Sequence, residues 1–335
     1  MRILGIESSC DETAAAVIET GYKMVANVVH SQVARHQPFG GVVPEIASRE
    51  HLTKIGVVVD KALEESGGIE TIDAVAVTTG PGLVGSLLVG VQFAKGLALA
   101  SGKPWIGINH LEGHLAAAFL GDVPVGEPHL AMVVSGGHTQ FYAVRTFGKY
   151  ELLGGTRDDA AGECFDKVAK VMGLPYPGGL HIDRRAALGN GDAHRFPRAM
   201  NTLKHFDLSF SGLKTSAIQY WREHQPETEA EVGDFCAAFQ EAIADILTKK
   251  AVAAAKKHGL KGIVLAGGVA ANSRLRGLLE ERASRARLWT FLPPLWLCTD
   301  NGAMIAAAGL ARLEAQQVND EHREVRSRWP LSAMS

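Results

Sequence analysis

An apolar strand, a small polar turn and a second apolar strand occur twice in this chain, and that restart constrains the fold more than any other feature. Arg2 to Ile6 reads as a strand, Glu7-Ser8-Ser9-Cys10-Asp11-Glu12-Thr13 as a polar turn, and Ala14 to Ile18 as a strand again. Leu130 to Val134, Ser135-Gly136-Gly137-His138-Thr139 and Gln140 to Val144 repeat the arrangement. A second echo follows each. The buried strand Asp73 to Val77 runs through Thr78-Thr79-Gly80-Pro81-Gly82 into a small-residue helix, Val84 to Ala100; Gly262 to Ala266 runs through Gly267-Gly268 into a helix from Ala271 to Ala286. With 335 residues to distribute, the chain is expected to form two related α/β lobes. The expected boundaries are 1–125 plus 298–325 for the N-terminal lobe, 126–297 for the C-terminal lobe, and 326–335 for a tail.

Between the repeated parts, the pattern predicts a strand over Met24 to Val29 and a helix over about Glu45 to Glu65. Further helices are expected at about Ala160 to Met172, Ser211 to Trp221 and Val232 to His258. The acidic, Pro-interrupted stretch Glu223 to Asp234 reads as a surface linker, and a last helix, about Asn301 to Gln316, returns the chain to the first half.

Asn109-His110-Leu111-Glu112-Gly113-His114 carries the most specific chemistry. Asn109 is a good N-cap, and a helix starting there stacks His110 and His114, four residues apart, on one face, where both rings reach one metal ion. Two histidines at a helix start are the bland alternative. A metalloprotease helix is disfavoured, because Glu112 lies about 200° round the helix from His110 and faces away from a shared ion. Asp300, just before the last helix, offers a carboxylate that would complete a two-nitrogen, one-oxygen set suited to iron or zinc.

The turns Ser8 to Thr13 and Ser135 to Thr139 offer backbone N–H groups and small side chains, as a phosphate cradle requires; either alone is an ordinary tight hairpin. At matching positions in a duplicated frame they favour a nucleotide clamped between lobes. Gly267-Gly268 lets a helix start approach a ligand closely. Neither a P-loop nor a dinucleotide Gly-x-Gly-x-x-Gly is present. Asp158 and Asp159 read as helix-dipole caps, whereas Asp166, a turn further in, could face a ligand hydroxyl.

Composition narrows the class. A net charge of −2 carries no global nucleic-acid signature, so RNA contact must come from local patches. Those on offer are Arg184-Arg185, Lys249-Lys250, Lys256-Lys257, the arginines at 274, 276, 282, 285 and 287, and Arg323, Arg326 and Arg328, each of which also reads as a solvated helix face. Four scattered cysteines argue against a disulfide frame. The acidic N-terminal start is not a secretory signal, and no uninterrupted apolar run reaches membrane-span length. A cytoplasmic protein without a membrane partner is expected.

Several blocks together resemble the TsaD family, the bacterial tRNA threonylcarbamoyl-adenosine transferases. They are Gly5 to Thr13, Gly40 to Glu45, Gly80 to Gly85, Asn109 to His114, Val134 to Gln140, Asp207 to Lys214 and Cys298 to Met304. The resemblance covers essentially the whole chain. It implies an actin-like ATPase (ASKHA) fold, with a nucleotide and metal cleft between two duplicated lobes. It also implies transfer of the threonylcarbamoyl group from threonylcarbamoyl-AMP to N6 of adenosine 37 in tRNAs reading ANN codons, with release of AMP. Carried over by position, His110, His114 and Asp300 are ligands of one divalent metal ion per chain, usually iron(II). Val133, Val134, Ser135, Gly136, Gly137, Asp166, Gly179, Asp183 and Asn272 are the adenylate-binding positions. The implied partners are the tRNA anticodon loop, a TsaB-like paralogue pairing through the N-terminal lobe, and a TsaE-like ATPase. Two positions depart from the family pattern, Leu180 and Ser327, each where proline is usual; neither touches a proposed ligand.

Asp11 is the candidate for proton handling or substrate orientation, although a turn aspartate also satisfies backbone N–H groups. A carbamoyl-type transferase of the same superfamily with another acceptor is the alternative activity. A non-catalytic nucleotide-binding subunit would keep the fold and lack His110, His114 and Asp300.

Overall fold

The computed structural model describes residues 1–121, 125–126, 128–316 and 324–334; Arg323 lies outside the described residues. The chain divides into two compact units, Met1–Val125 with Phe147–Lys149 and Thr299–Ser335, and Gly126–Thr146 with Tyr150–Cys298.

The first unit carries β1 (Arg2–Glu7), β2 (Glu12–Glu19), β3 (Lys23–Ser31), α1 (Val33–His36), α2 (Pro44–Ser66), β4 (Ala74–Gly80), α3 (Val84–Ser101), β5 (Trp105–Asn109) and α4 (His110–Ala116). Its sheet runs β3-β2-β1-β4-β5, antiparallel among the first three and parallel from β1 to β5. β4 is buried along its whole length, as expected for a central parallel strand covered on both faces. α2 starts on Pro44, whose missing N–H costs nothing at a first turn, and stops at Gly67 in the left-handed region with φ 92°. α3 is long and apolar enough to cross a membrane by length and composition, with a mean hydropathy of 1.4. Its buried positions Ser86, Leu87, Gly90, Val91, Ala94 and Ala98 nevertheless serve the core of this unit, where Val91, Ala94 and Ala98 join Leu4, Ile6, Val75 and Val77.

The second unit contains β6 (His129–Val134), β7 (Thr139–Thr146), β8 (Lys149–Gly155), α5 (Ala161–Val171), α6 (Gly178–Ala186), α7 (Ser211–His224), α8 (Glu229–Lys257), β9 (Gly262–Ala266), α9 (Ser273–Arg285) and β10 (Trp289–Phe291). Its sheet order is β8-β7-β6-β9-β10. This is the first sheet's order strand for strand, so the duplication read from the turns extends to the whole topology. Its core gathers Met132, Phe141, Phe165, Phe210, Phe239 and Leu265. α10 (Gly302–Glu314) then returns to the first unit, buried from Gly302 to Arg312. A helix so apolar on every side belongs inside a core.

Two expectations need correction, and several elements were not foreseen. Glu223 to Asp234 is not one linker: Thr228 and Glu231 form a reciprocal capping box that starts α8 at Glu229, so Glu229–Asp234 are helical. The strands β5, β8 and β10 and the helices α1 and α6 were not expected. β10 has three residues and none fully buried, too few for a period to register. Lys250 is not on a solvated face: it is completely buried, and its Nζ donates to the carbonyls of His205 and Asp207.

Candidate functional site

The first unit delivers two imidazoles through one junction. β5 ends at Asn109, whose Oδ1 accepts the Leu111 and Glu112 amides at 2.9 and 3.4 Å and starts α4 at once. His110 and His114 therefore project from the first turns of one helix, with ring centroids 4.7 Å apart. Asp300 arrives from the other end of the chain, immediately before Asn301, which caps α10 by accepting the Met304 amide. α10 can cross β1 closely because Gly5 has no side chain: a Cβ there would sit 2.3 Å from Ala306 N and 2.4 Å from Gly302 O. Asp300 Oδ1 lies 3.2 Å from His114 Nε2 and 3.5 Å from His110 Nε2. One ligand atom from each of the three residues falls within 4.8 Å of the others.

The donor set fits a divalent metal ion. His114 is 2% exposed, and neither of its ring nitrogens makes a hydrogen bond, a cost an interior does not normally carry. A cation among the three residues would satisfy Nε2, and two imidazoles with one carboxylate suit zinc or iron. Glu112 points elsewhere, as its position on the helix requires, and forms a buried ion pair with Arg312.

Glu7 was not singled out by the sequence, yet it stands directly behind this group. It is fully buried. Its Oε1 accepts the Ser9 amide at 2.5 Å, and its Oε2 accepts the Thr78 hydroxyl at 2.7 Å and lies 3.0 Å from His110 Nδ1. Burial alone would lift the Glu7 carboxyl, but the His110 ring and the Thr78 hydroxyl outweigh it and hold the group below its ordinary value. Burial opposes an imidazolium at His110, and Asp300 and Glu7 overcome that, raising the ring to about 9. The pocket is thus built to hold positive charge. An acidic residue closing an otherwise apolar strand is the signal that could have revealed Glu7.

Asp11 is buried in the turn after Glu7, and its carbonyl accepts the Gln32 amide at 2.9 Å. Burial, Asp11 and Asp300 together push the neighbouring Glu12 carboxyl well above its ordinary value.

In the second unit, Val133 and Val134 end β6 and are completely buried. The turn beyond them closes through Ser135 N donating to His138 O at 2.7 Å, with Gly136 and Gly137 exposed at its tip. Gly267, at φ 92°, approaches this turn so closely that a Cβ would lie 2.6 Å from Val134 O. Asp166 Oδ1 accepts the Gly178 amide at 2.7 Å, which anchors the start of α6. α6 carries Gly179 and Asp183, and Asp183 Oδ1 accepts from the Ser273 amide at 3.1 Å and hydroxyl at 2.7 Å. Asn272 caps α9 and donates to Gln240 Oε1 at 2.6 Å. These contacts hold α6 at two points, to Asp166 of α5 through the Gly178 amide and to Ser273 of α9 through Asp183. Leu180 is 47% exposed on α6, so the missing proline falls on a helix face and not in a loop.

Much of the basic stretch at 274–287 is engaged within the second unit. Arg274 pairs with Glu241, Arg282 with Asp245 and Arg285 with Glu281, while Arg276 donates to the carbonyls of Ala270 and Pro293.

A model of the family "TsaD: tRNA N6-adenosine threonylcarbamoyltransferase" matches residues 23–307. The tRNA N6-adenosine threonylcarbamoyltransferase of Anaeromyxobacter dehalogenans (strain 2CP-C) is 57% identical over 310 residues, covering 92% of this chain and 93% of that protein. The protein of the same name from Syntrophus aciditrophicus (strain SB) is 50% identical over 333 residues, covering 99% and 98%. Among solved structures, full-length HypF in its phosphate- and nucleotide-bound form superposes with a TM-score of 0.64 at 13% identity, over 95% of this chain and 47% of that one. The fold is the α/β actin-like ATPase fold that the family resemblance implied, and its two like sheets agree with the two related α/β lobes read from the repeated pattern.

Proposed function

The chain belongs to the TsaD family of tRNA N6-adenosine threonylcarbamoyltransferases, and from that premise we propose how its residues divide the work. It is an acyltransferase that forms N6-threonylcarbamoyl-adenosine in tRNA. The donor is threonylcarbamoyl-AMP, the acceptor is N6 of adenosine 37 in tRNAs reading ANN codons, and AMP is released. The observation that carries the reading is the cluster of His110, His114 and Asp300, its two histidines buried, in a chain matched by the family over most of its length.

His110, His114 and Asp300 hold one divalent ion, iron(II) being the assignment and zinc the competitor. Such an ion, when bound, supplies Lewis-acid polarisation of a carbonyl or phosphoryl oxygen. Val133 to Gly137, with Asp166, Gly179, Asp183 and Asn272, bind the adenylate; the backbone of the 135–138 turn faces its anionic part, and the hydrogen-bonded framework of α6 and α9 keeps the rest in place. The exocyclic amine of the base is a weak nucleophile, so orientation is the largest contribution, worth roughly 7–11 kcal/mol for well-aligned reactants. The target base must leave its stack to be reached. Asp11 orients the acceptor or takes its proton.

The tRNA anticodon loop is the macromolecular substrate. A TsaB-like paralogue docks on the first unit, where Leu52 and Val57 of α2 are 70% and 67% exposed and Leu88 of α3 is 43% exposed. Apolar side chains so exposed on adjacent helices suit a partner helix face. A TsaE-like ATPase completes the set. Val57→Glu should abolish paralogue pairing while leaving metal content unchanged; pairing at wild-type affinity would refute the docking face.

Purified protein, with partners, is incubated with threonylcarbamoyl-AMP and tRNA, and the nucleosides are analysed by mass spectrometry. His110→Ala should lose bound metal and transfer together; transfer surviving in metal-free protein sinks the metal role. Full single-turnover transfer by Asp11→Asn with preformed adenylate sinks the role of Asp11. Labelled threonine, bicarbonate, ATP and bulk tRNA separate a tRNA acceptor from the small-molecule or protein acceptor of a related carbamoyl-type transferase.

A further inference from the structure

Glu7 has no role in the reaction as set out above, and its surroundings are too specific for a stray buried acid. In the parallel pairing of β1 with β4, Ile6 lies beside Val77, so the next residues, Glu7 and Thr78, meet at the strand ends. There Thr78 Oγ1 donates to Glu7 Oε2 at 2.7 Å and the Ser9 amide donates to Oε1 at 2.5 Å. Both oxygens are held by donors from the protein. The remaining near neighbour of Oε2 is His110 Nδ1 at 3.0 Å, with Ser9 Oγ 3.1 Å from the same nitrogen. Each Glu7 oxygen already accepts from a protein donor, the Ser9 amide or the Thr78 hydroxyl, so in the contact with His110 the oxygen is placed as the acceptor and the proton is assigned to Nδ1. With Nδ1 keeping that proton, Nε2 is the nitrogen left to face an ion, on the side where Asp300 Oδ1 stands 3.5 Å away.

We infer that Glu7 is a positioning residue of the metal site: it fixes the Nδ1–H form of His110 and turns Nε2 towards the ion shared with His114 and Asp300. Hydrogen bonding of this kind behind a ligating histidine sets ring orientation and raises ligand basicity. The inference rests on the metal reading given above and adds to it a residue, fixed in place by two strands, that touches neither ion nor substrate.

Glu7→Gln tests it well. The side chain is isosteric, but its NH₂ end must face either the Ser9 amide or the Thr78 and His110 donors, so it cannot accept at both ends. Full-length wild type, His110→Ala and Glu7→Gln are titrated with zinc(II) and cobalt(II) against a chelator, and the cobalt absorption spectrum and thermal stability are recorded. Nitrogen-15 histidine spectra are taken on the zinc-loaded wild type. The expected result is one ion per wild-type chain, loss of that ion in His110→Ala, and an affinity 10–100-fold weaker in Glu7→Gln with a changed cobalt spectrum. The wild-type spectra should show His110 protonated at Nδ1.

If wild type binds no ion, or His110→Ala binds it equally well, the metal reading falls and this inference with it. If both behave as expected while Glu7→Gln matches wild type in affinity and cobalt spectrum, Glu7 alone is misassigned, even if the variant melts earlier. Should Glu7→Gln not fold, the wild-type spectra decide, because a His110 ring protonated at Nε2 and not at Nδ1 overturns the inference.

Discussion

Glu112 is the residue whose removal tests this architecture most sharply. It lies on the helix that carries both histidines and points away from them, with its Oε2 2.5 Å from Arg312 Nε and its Oε1 2.8 Å from Arg312 Nη2. The two side chains are 0% and 3% exposed, so this two-pronged pair is buried and poorly screened. Glu112→Ala would leave a guanidinium, always charged, inside the protein. Breaking a buried pair by deleting one partner costs about 3–5 kcal/mol. For domains of about 150–250 residues, each kcal/mol shifts the melting temperature by about 2–4 °C, so the expected loss is roughly 6–20 °C. The pair also clamps α4 to α10, whose start follows Asp300, so zinc affinity should fall with stability. Replacing both residues, Glu112→Leu with Arg312→Met, should restore most of the stability, because an apolar pair of similar size removes the desolvation cost. Thermal and urea denaturation, followed by circular dichroism with and without zinc, supply the readout. A loss under about 1 kcal/mol in the single variant, or a double variant less stable than the single one, would refute the reasoning.

Other perturbations probe separate parts of the fold. Asn109→Ala removes the cap of α4 and the Asn109 Nδ2 donation to Trp329 O at 2.9 Å; a loss of about 0.5–2 kcal/mol is expected in urea denaturation, with weaker zinc binding. Gly5→Ala pushes a methyl into the backbone of α10 and should cost at least about 1–3 kcal/mol, and a variant as stable as wild type would show that this crossing can relax. Asp158 predicts a pH dependence. Burial would raise its carboxyl, but the Ser209 hydroxyl, the Phe210 amide and Ser211 bring it down to about 2 from an ordinary 3.8. Its contribution is therefore full above the ordinary value and fades as pH falls towards 2. The stability gap between wild type and Asp158→Asn should close over that acid range, and a gap that stays constant there would contradict the assignment.

What the sequence determined by itself is what depends on neighbours along the chain. Hydrophobic period placed the central strands and most long helices, Asn109 announced the start of α4, and spacing alone put His110 and His114 on one face and Glu112 on the other. The repeated turn revealed the duplication before any contact was known. Short and peripheral elements escaped because three residues of β10, or a helix opening on Gly178-Gly179, carry too little periodic signal. The duplication could have supplied one of them: β8 occupies the place of β3 in the matching sheet. Only the tertiary structure decided which distant groups meet. Asp300 could be nominated as a ligand from its type, but its 3.2 Å approach to His114 depends on α10 crossing Gly5. Glu7 gained its significance from Thr78 and His110, 71 and 103 residues away, and Glu112 from Arg312, 200 residues away. The physical reason is common to all three. A buried charge is tolerable only beside its partner, and that partner is supplied by packing, which local sequence pattern does not record.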